Sequence, residues 1–430
     1  MSKHTPQTQP SIPSSCTHPA IGLVGLITFL LTCVFLRKSL SFFSAHSLGL
    51  LLASYALPVI ALEAIVLKNY RRISTGLDFS RMRPANISRV AIKLTGLGGT
   101  LCLAGLAYWL FPEYQNLFYV RYFLFLELIA PYFLILVIPY FYFVDRFMAS
   151  PEDDYYQAGL FFIGAWKSVN RKLLWQFFLG WTVKAFFLPL MYSYFLQEAV
   201  NFQNTNFHQA FLGFQSFYNL CFHGVFFLDV MIVTVGYFLT MKLFDSHIRS
   251  AEPTVSGWIV ALMCYQPFWG MMSDSFLKYN PDHISWGGWL GSSFWYPVWG
   301  VAILVSEGIF LYASVIFGIR FSNLTHRGII SNGPYAWTKH PAYVAKLVSF
   351  ALISVPWISE SGWRGGLRQC LLLALLAVLY YGRAKTEERH LSRDPVYVQY
   401  ALAMNKKSVF APLGALWPAL QYKPPVSQSS

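Results

Sequence analysis

Two polar stretches near the C-terminal end carry the residues best suited to hold a small charged ligand. The first runs from Arg327 through Asn332-Gly333-Pro334-Tyr335 to Lys339-His340-Pro341-Ala342-Tyr343. Asn-Gly-Pro is a turn signal. Pro341 suits the first turn of a helix, because the N–H it lacks would have no intrahelical partner there. A helix starting at Pro341 places Lys339 and His340 at its positive end, where free N–H groups, the helix dipole and a lysine make an anion site. The second stretch is Arg383-Ala-Lys385-Thr-Glu387-Glu388-Arg389. The residues between the two are mostly apolar. If they fold as a helical hairpin, both polar stretches return to the same face, and the anion site faces the carboxylates of Glu387 and Glu388. A zwitterion with an α-carboxylate and an α-ammonium fits between them; the methionine end of S-adenosylmethionine is such a group.

The elements that must position these residues are membrane spans. Of 430 residues, 55% are hydrophobic and 12% charged, against about 25% charged in a soluble domain. Aromatics reach 18%, and Tyr and Trp favour membrane interfaces. Ten apolar segments follow one another near 20–36, 47–67, 90–111, 122–144, 173–196, 221–241, 255–273, 297–319, 342–359 and 367–382. Each must be helical, because a lipid-facing backbone has to satisfy its own hydrogen bonds. The expected fold class is all-α: a polytopic transmembrane bundle of about ten spans with a C-terminal helical hairpin and a cytosolic cofactor pocket. The ninth and tenth segments are joined tightly by Pro356 and the Gly362–Gly366 stretch, and that hairpin need not cross fully.

The net charge of +13 would suggest nucleic acid in a soluble protein. Here most Lys and Arg lie in short loops between apolar runs, so topology and anionic headgroups account for them, and no nucleic-acid partner is expected. With the N-terminus in the cytosol and alternating sides, 25 of the 32 Lys and Arg fall inside, 6 outside, and Lys184 within a span. Both termini and the two polar stretches are then cytosolic, on the inner membrane if the cell is bacterial. The division expected is a disordered tail at 1–19, an accessory membrane domain at 20–250, the ligand-binding membrane domain at 251–412 and a tail at 413–430. The six cysteines have no metal or redox spacing, so no metal is expected. Glu63, Glu127, Lys184, Asp229 and Glu307 lie inside spans, where charge is costly; Lys184 and Asp229, at similar depth on adjacent spans, could pair, or Lys184 could snorkel. No internal repeat supports an inverted-repeat transporter.

The two polar stretches resemble those of the isoprenylcysteine carboxyl methyltransferase family, whose C-terminal pattern is shared with phospholipid N-methyltransferases. That pattern is Gly-x-Tyr-x-x-x-Arg-His-Pro-x-Tyr, an apolar hairpin, Arg-x-x-x-Glu-Glu and Tyr-x-x-Tyr. Gly333-Pro-Tyr335, His340-Pro341-Ala-Tyr343, Arg383, Glu387-Glu388 and Tyr397-Val-Gln-Tyr400 match it in order and spacing, over about residues 320–412. The resemblance implies that Tyr335, His340, Pro341, Tyr343 and Glu387 contact S-adenosylmethionine, together with the backbone of Arg327, Gly328, Ile329 and Ile330. Arg383 would meet a substrate carboxylate. Two departures bear on the substrate: Lys339 stands where the family has Arg and forfeits a bidentate contact, and the histidine expected before the turn falls at Arg327, with His326 one residue away.

The function so implied is an integral membrane, S-adenosylmethionine-dependent methyltransferase acting on a carboxylate, or another nucleophile, of a lipid-borne or amphiphilic substrate. A carboxylate acceptor needs no general base, whereas an amine would need one, and Glu388 is the candidate. Two other readings compete. A sterol-reductase-like membrane enzyme using NADPH has a similar Arg-His-x-x-Tyr pattern, but its Trp-rich turn and Asn-Tyr step are absent. A non-enzymatic transporter or scaffold would rest on the long N-terminal bundle. The sequence names neither the acceptor nor the oligomeric state.

Overall fold

Apolar runs bounded by capping residues become helices, and among the described residues the regular structure is helical apart from two short strands. The structure, a computed structural model, describes residues 11–272, 284–291 and 293–425. Fifteen α-helices occur among them. The N-terminal half contains α1 (Pro19–Leu36), α2 (Ala45–Leu62), α3 (Ile87–Leu110), α4 (Leu117–Phe147), α5 (Asp154–Phe162), α6 (Arg171–Asn204), α7 (Phe207–Ala210) and α8 (Phe214–Phe238). There follow α9 (Val255–Leu262), α10 (Trp286–Leu290), α11 (Trp295–Phe317), α12 (Pro341–Ser354), α13 (Gly362–Leu391), α14 (Pro395–Lys407) and α15 (Ala411–Leu416). Ser44, Asn86, Asn116 and Asn170 cap α2, α3, α4 and α6, each accepting from a first-turn N–H that has no intrahelical partner.

Among the described residues, eight helices are long and apolar enough to cross a membrane, against the ten segments expected. The segment near 255–273 is not one continuous helix among the described residues: α9 stops short of Pro267, and a separate short helical stretch covers 268–272. The segment near 342–359 holds α12, whose 14 residues span about 21 Å, short of the roughly 30 Å hydrocarbon core. It stops at Val355, which takes a left-handed conformation. In contrast α13 has 30 residues, about 45 Å, so it crosses and still carries its last turns into water. The glycines at 362–366 belong to α13, which begins at Gly362. Gly366 packs there because the backbone of Trp357 lies where its Cβ would be.

The short strands β1 (Ser250–Ala251) and β2 (Thr325–His326) pair antiparallel. They fix the ends of α8 and α11 together at one face of the bundle. At the other face Trp286 of α10 packs with Tyr218 of α8 and Val355 after α12. β1, just before α9, and α10 therefore lie toward opposite faces, and α11 runs from one to the other. One hydrophobic core runs through α1, α2, α4, α6, α8 and α11, so the segments expected to divide at 250 share their packing.

Buried charge is paired in ways the sequence did not disclose. Arg320 donates to both Glu63 oxygens at 2.7 Å. Lys184 and Asp229 do not pair: Lys184 Nζ donates to Thr240 Oγ1 at 2.9 Å, and Asp229 accepts from Ser314. Depth along two helices does not determine which faces meet. The tail expected at 1–19 to be disordered is packed over the part described. Ser331 Oγ donates to the Pro13 carbonyl at 2.6 Å and Asn332 to that of Thr17 at 2.8 Å. The tail at 413–430 also packs in its described part, where Tyr422 is buried beside Tyr397. Residues 1–10 and 426–430 lie outside the described residues.

Candidate active site

Because α12 begins where α13 ends, the two polar stretches meet. Tyr343 donates to Glu387 Oε2 at 2.6 Å. The His340 ring stacks on that of Tyr343, with centroids 5.4 Å apart, and its Nδ1 lies 3.9 Å from Glu387 Oε2. Glu388, one residue on, turns the other way. It takes Lys339 at 2.6 Å, Lys385 at 2.9 Å and His340 Nε2 at 3.4 Å. The lysine and the histidine expected to form an open anion site are thus partly neutralised by Glu388. What stays open is the start of α12, which no side chain caps. Its first N–H groups retain the preference for an anion.

Tyr335, His340, Ala342, Tyr343, Arg383 and Glu387, among others, line a cavity of about 290 Å3. Arg383 Nη2 donates to Asn323 Oδ1 and reaches Tyr265 Oη at 3.4 Å. Its guanidinium lies 5.0 Å from the centroid of the Tyr343 ring. Asn323 is in turn fixed by Tyr237 Oη, which accepts from its N–H at 2.9 Å and its amide at 3.0 Å. This chain holds the plane of Arg383 while leaving Nε and Nη1 without an acceptor among the described residues. Tyr335 is positioned by Tyr400, which donates to its carbonyl at 2.7 Å. Burial, reinforced by Glu387, raises the Tyr335 phenol well above its usual range, so it remains a hydrogen-bond donor at neutral pH. Lys339 is pushed down by burial against the opposing pull of Glu388.

The structure separates the remaining candidates from the cavity. The side chain of Arg327 turns inward, and its three nitrogens donate to the carbonyls of Ser246, Gly236, Phe321, Leu239 and Ile319 at 2.6–3.0 Å. It ties the ends of α8 and α11 together. Burial opposes its charge, and nearby Arg320 adds to that. The backbone from Gly328 to Ile330 is overlaid by the N-terminal segment: Ile329 O accepts from Cys16 N at 3.1 Å, and Cys16 Sγ lies where a Cβ at Gly328 would sit. Arg327, Gly328, Ile329, Ile330 and Pro341 do not line the cavity; nor does Glu388. Sequence reasoning missed Asn323 and Tyr265, which orient Arg383, and Lys346, which lines the same cavity. Lys346 had a legible signal, since it lies one turn beyond Tyr343 on α12.

Glu388 is accordingly a clamp between α12 and α13. Glu388→Gln is expected to lower the melting temperature by a loss of roughly 2–3 kcal/mol. That is less than the fully buried case, because Lys385 is 29% exposed. A variant melting like the wild type but failing in turnover would instead make Glu388 a reacting group.

No curated protein and no solved structure matches the chain. The C-terminal region, residues 302–393, which contains α12, α13 and the cavity residues Tyr335, His340, Tyr343, Arg383 and Glu387, matches the model of the isoprenylcysteine carboxyl methyltransferase family.

Proposed function

We propose that the chain is a membrane methyltransferase that uses S-adenosylmethionine and methylates a carboxylate on a lipid-borne or amphiphilic acceptor. The observation carrying this reading is that Glu387, the uncapped start of α12 and Arg383 all border one cavity. The donor set suits a zwitterion with a sulfonium. Glu387 matches an α-ammonium, the first-turn N–H groups of α12 match an α-carboxylate, and the rings of Tyr335 and Tyr343 favour a neighbouring cation. S-adenosylmethionine would supply an electrophilic methyl group on sulfur, to be taken by in-line displacement. The chain's residues have to align the two reactants and exclude water. Arg383, held by Asn323 and Tyr265, has the Nε and Nη1 donors to grip one oxygen of an acceptor carboxylate. The other oxygen is then free to attack, and no general base is required. By the charge bias of the loops the cavity opens on the cytosolic side.

The test is transfer of labelled methyl from S-adenosylmethionine to a membrane lipid extract by the purified protein. A carboxyl methyl ester releases its label as volatile methanol in mild base, and that release is expected. Label that withstands base would place the methyl on another nucleophile, and absence of transfer would overturn the reading.

A further inference from the structure

A second cavity, of about 800 Å3, lies in the N-terminal half and shares no lining residue with the first. Its volume is in the range of small-molecule sites. The walls are apolar where α3, α4 and α6 come together, at Leu97, Phe133, Leu136, Phe141, Phe177 and Trp181. Phe133 is 42% and Leu136 65% exposed, so the cavity opens sideways, where lipid chains lie.

The polar end is unusual in its pairing. The carboxylates there are mostly matched: Asp145 with Lys93 at 2.9 Å and Arg89 at 2.6 Å, and Asp153 with Lys242 at 3.1 Å. Asp154 lies 4.0 Å from Lys242, and Glu152 is exposed at the rim. Lys184 has no such partner among the described residues. It lies within α6, about 20 Å from the start of that helix. Its ammonium donates to Thr240 Oγ1 at 2.9 Å and sits 4.0 Å from the centroid of the Trp181 ring. An unmatched charge inside a span is costly and marks a ligand or ion path. His247, on the same cavity wall, adds a buried Nδ1 without a partner.

We propose that this cavity binds a single-chain amphiphile with an anionic head. The head meets Lys184 and Thr240, with His247 beside them, and the chain lies along Phe133 and Leu136 toward the bilayer. Carboxylate and phosphate heads share the required chemistry. This site is independent of the methyl-transfer reading, because it uses none of the residues of the first cavity.

Binding of tritiated palmitate to the purified protein in a neutral detergent tests it, with hexadecyl phosphate and hexadecanol as competitors. Saturable binding displaced by hexadecyl phosphate, but not by hexadecanol, is expected. Lys184→Gln should weaken palmitate by about tenfold or more, as loss of a charge-assisted contact implies, with an unchanged melting temperature; Lys184→Arg should retain binding. Leu136→Trp, at an exposed position that folding does not depend on, should also weaken binding by narrowing the opening. Equal displacement by the alcohol would overturn the proposal. So would wild-type affinity in both Lys184→Gln and Leu136→Trp.

Discussion

Glu387→Ala is expected to lose methyl transfer by about a hundredfold or more in kcat/KM while remaining folded. The estimate combines the loss of a charge-assisted contact to the donor with the release of its partners. Tyr343 loses its 2.6 Å acceptor, and His340, 3.9 Å from the same carboxylate oxygen, loses a charge that fixes its ring against Tyr343. The side chain is 40% exposed, so little stability depends on it, and the melting temperature should stay within a few degrees of wild type. Glu387→Gln separates charge from shape: it keeps the Tyr343 contact but cannot balance an α-ammonium, and should be nearly as impaired in S-adenosylmethionine affinity. Normal turnover in Glu387→Ala would remove the carboxylate from the site.

The second large effect lies in folding. Arg327→Leu removes a buried guanidinium that serves five backbone carbonyls; all five lose that donor, and among the described residues only the Leu239 carbonyl keeps a side-chain one, Ser246 Oγ at 2.6 Å. Breaking such a buried set costs about 3–5 kcal/mol. Folded yield and melting temperature in detergent should fall sharply. Arg327→Lys should rescue little, since one ammonium has three donors and no planar fork. A folded Arg327→Leu protein with a wild-type melting temperature, but weakened S-adenosylmethionine binding, would return Arg327 to the ligand site.

The residues that converge were those with local signals. Gly333-Pro334 and Pro341 place a turn and a helix start, and the spacing of Arg383 and Glu387 puts them on one face of a helix. Together these bring Tyr335, Tyr343, Arg383 and Glu387 to one cavity. Glu388 shows the limit of that reasoning: one residue along a helix is a 100° rotation, and the neighbour of a cavity-lining carboxylate became an internal clamp. Arg327 shows another, since nothing local distinguishes an arginine facing a ligand from one serving the carbonyls of distant helix ends. The polytopic helical bundle was legible, but helix lengths within it were not: α12 and α9 are apolar but shorter than a full span, whereas α13 continues through polar residues because its pairs, such as Lys385 with Glu388, suit a helix surface. The packing of the described part of the N-terminal segment was invisible because its contacts include hydrogen bonds to Ser331 and Asn332, more than three hundred residues away in the chain.

Calorimetric titration of the purified protein with S-adenosylmethionine, set beside NADPH, decides whether the cavity holds the methyl donor. One saturable site is expected for S-adenosylmethionine, displaced by its demethylated product, weakened by Glu387→Ala and indifferent to NADPH. Saturable NADPH binding with none for S-adenosylmethionine would contradict that expectation.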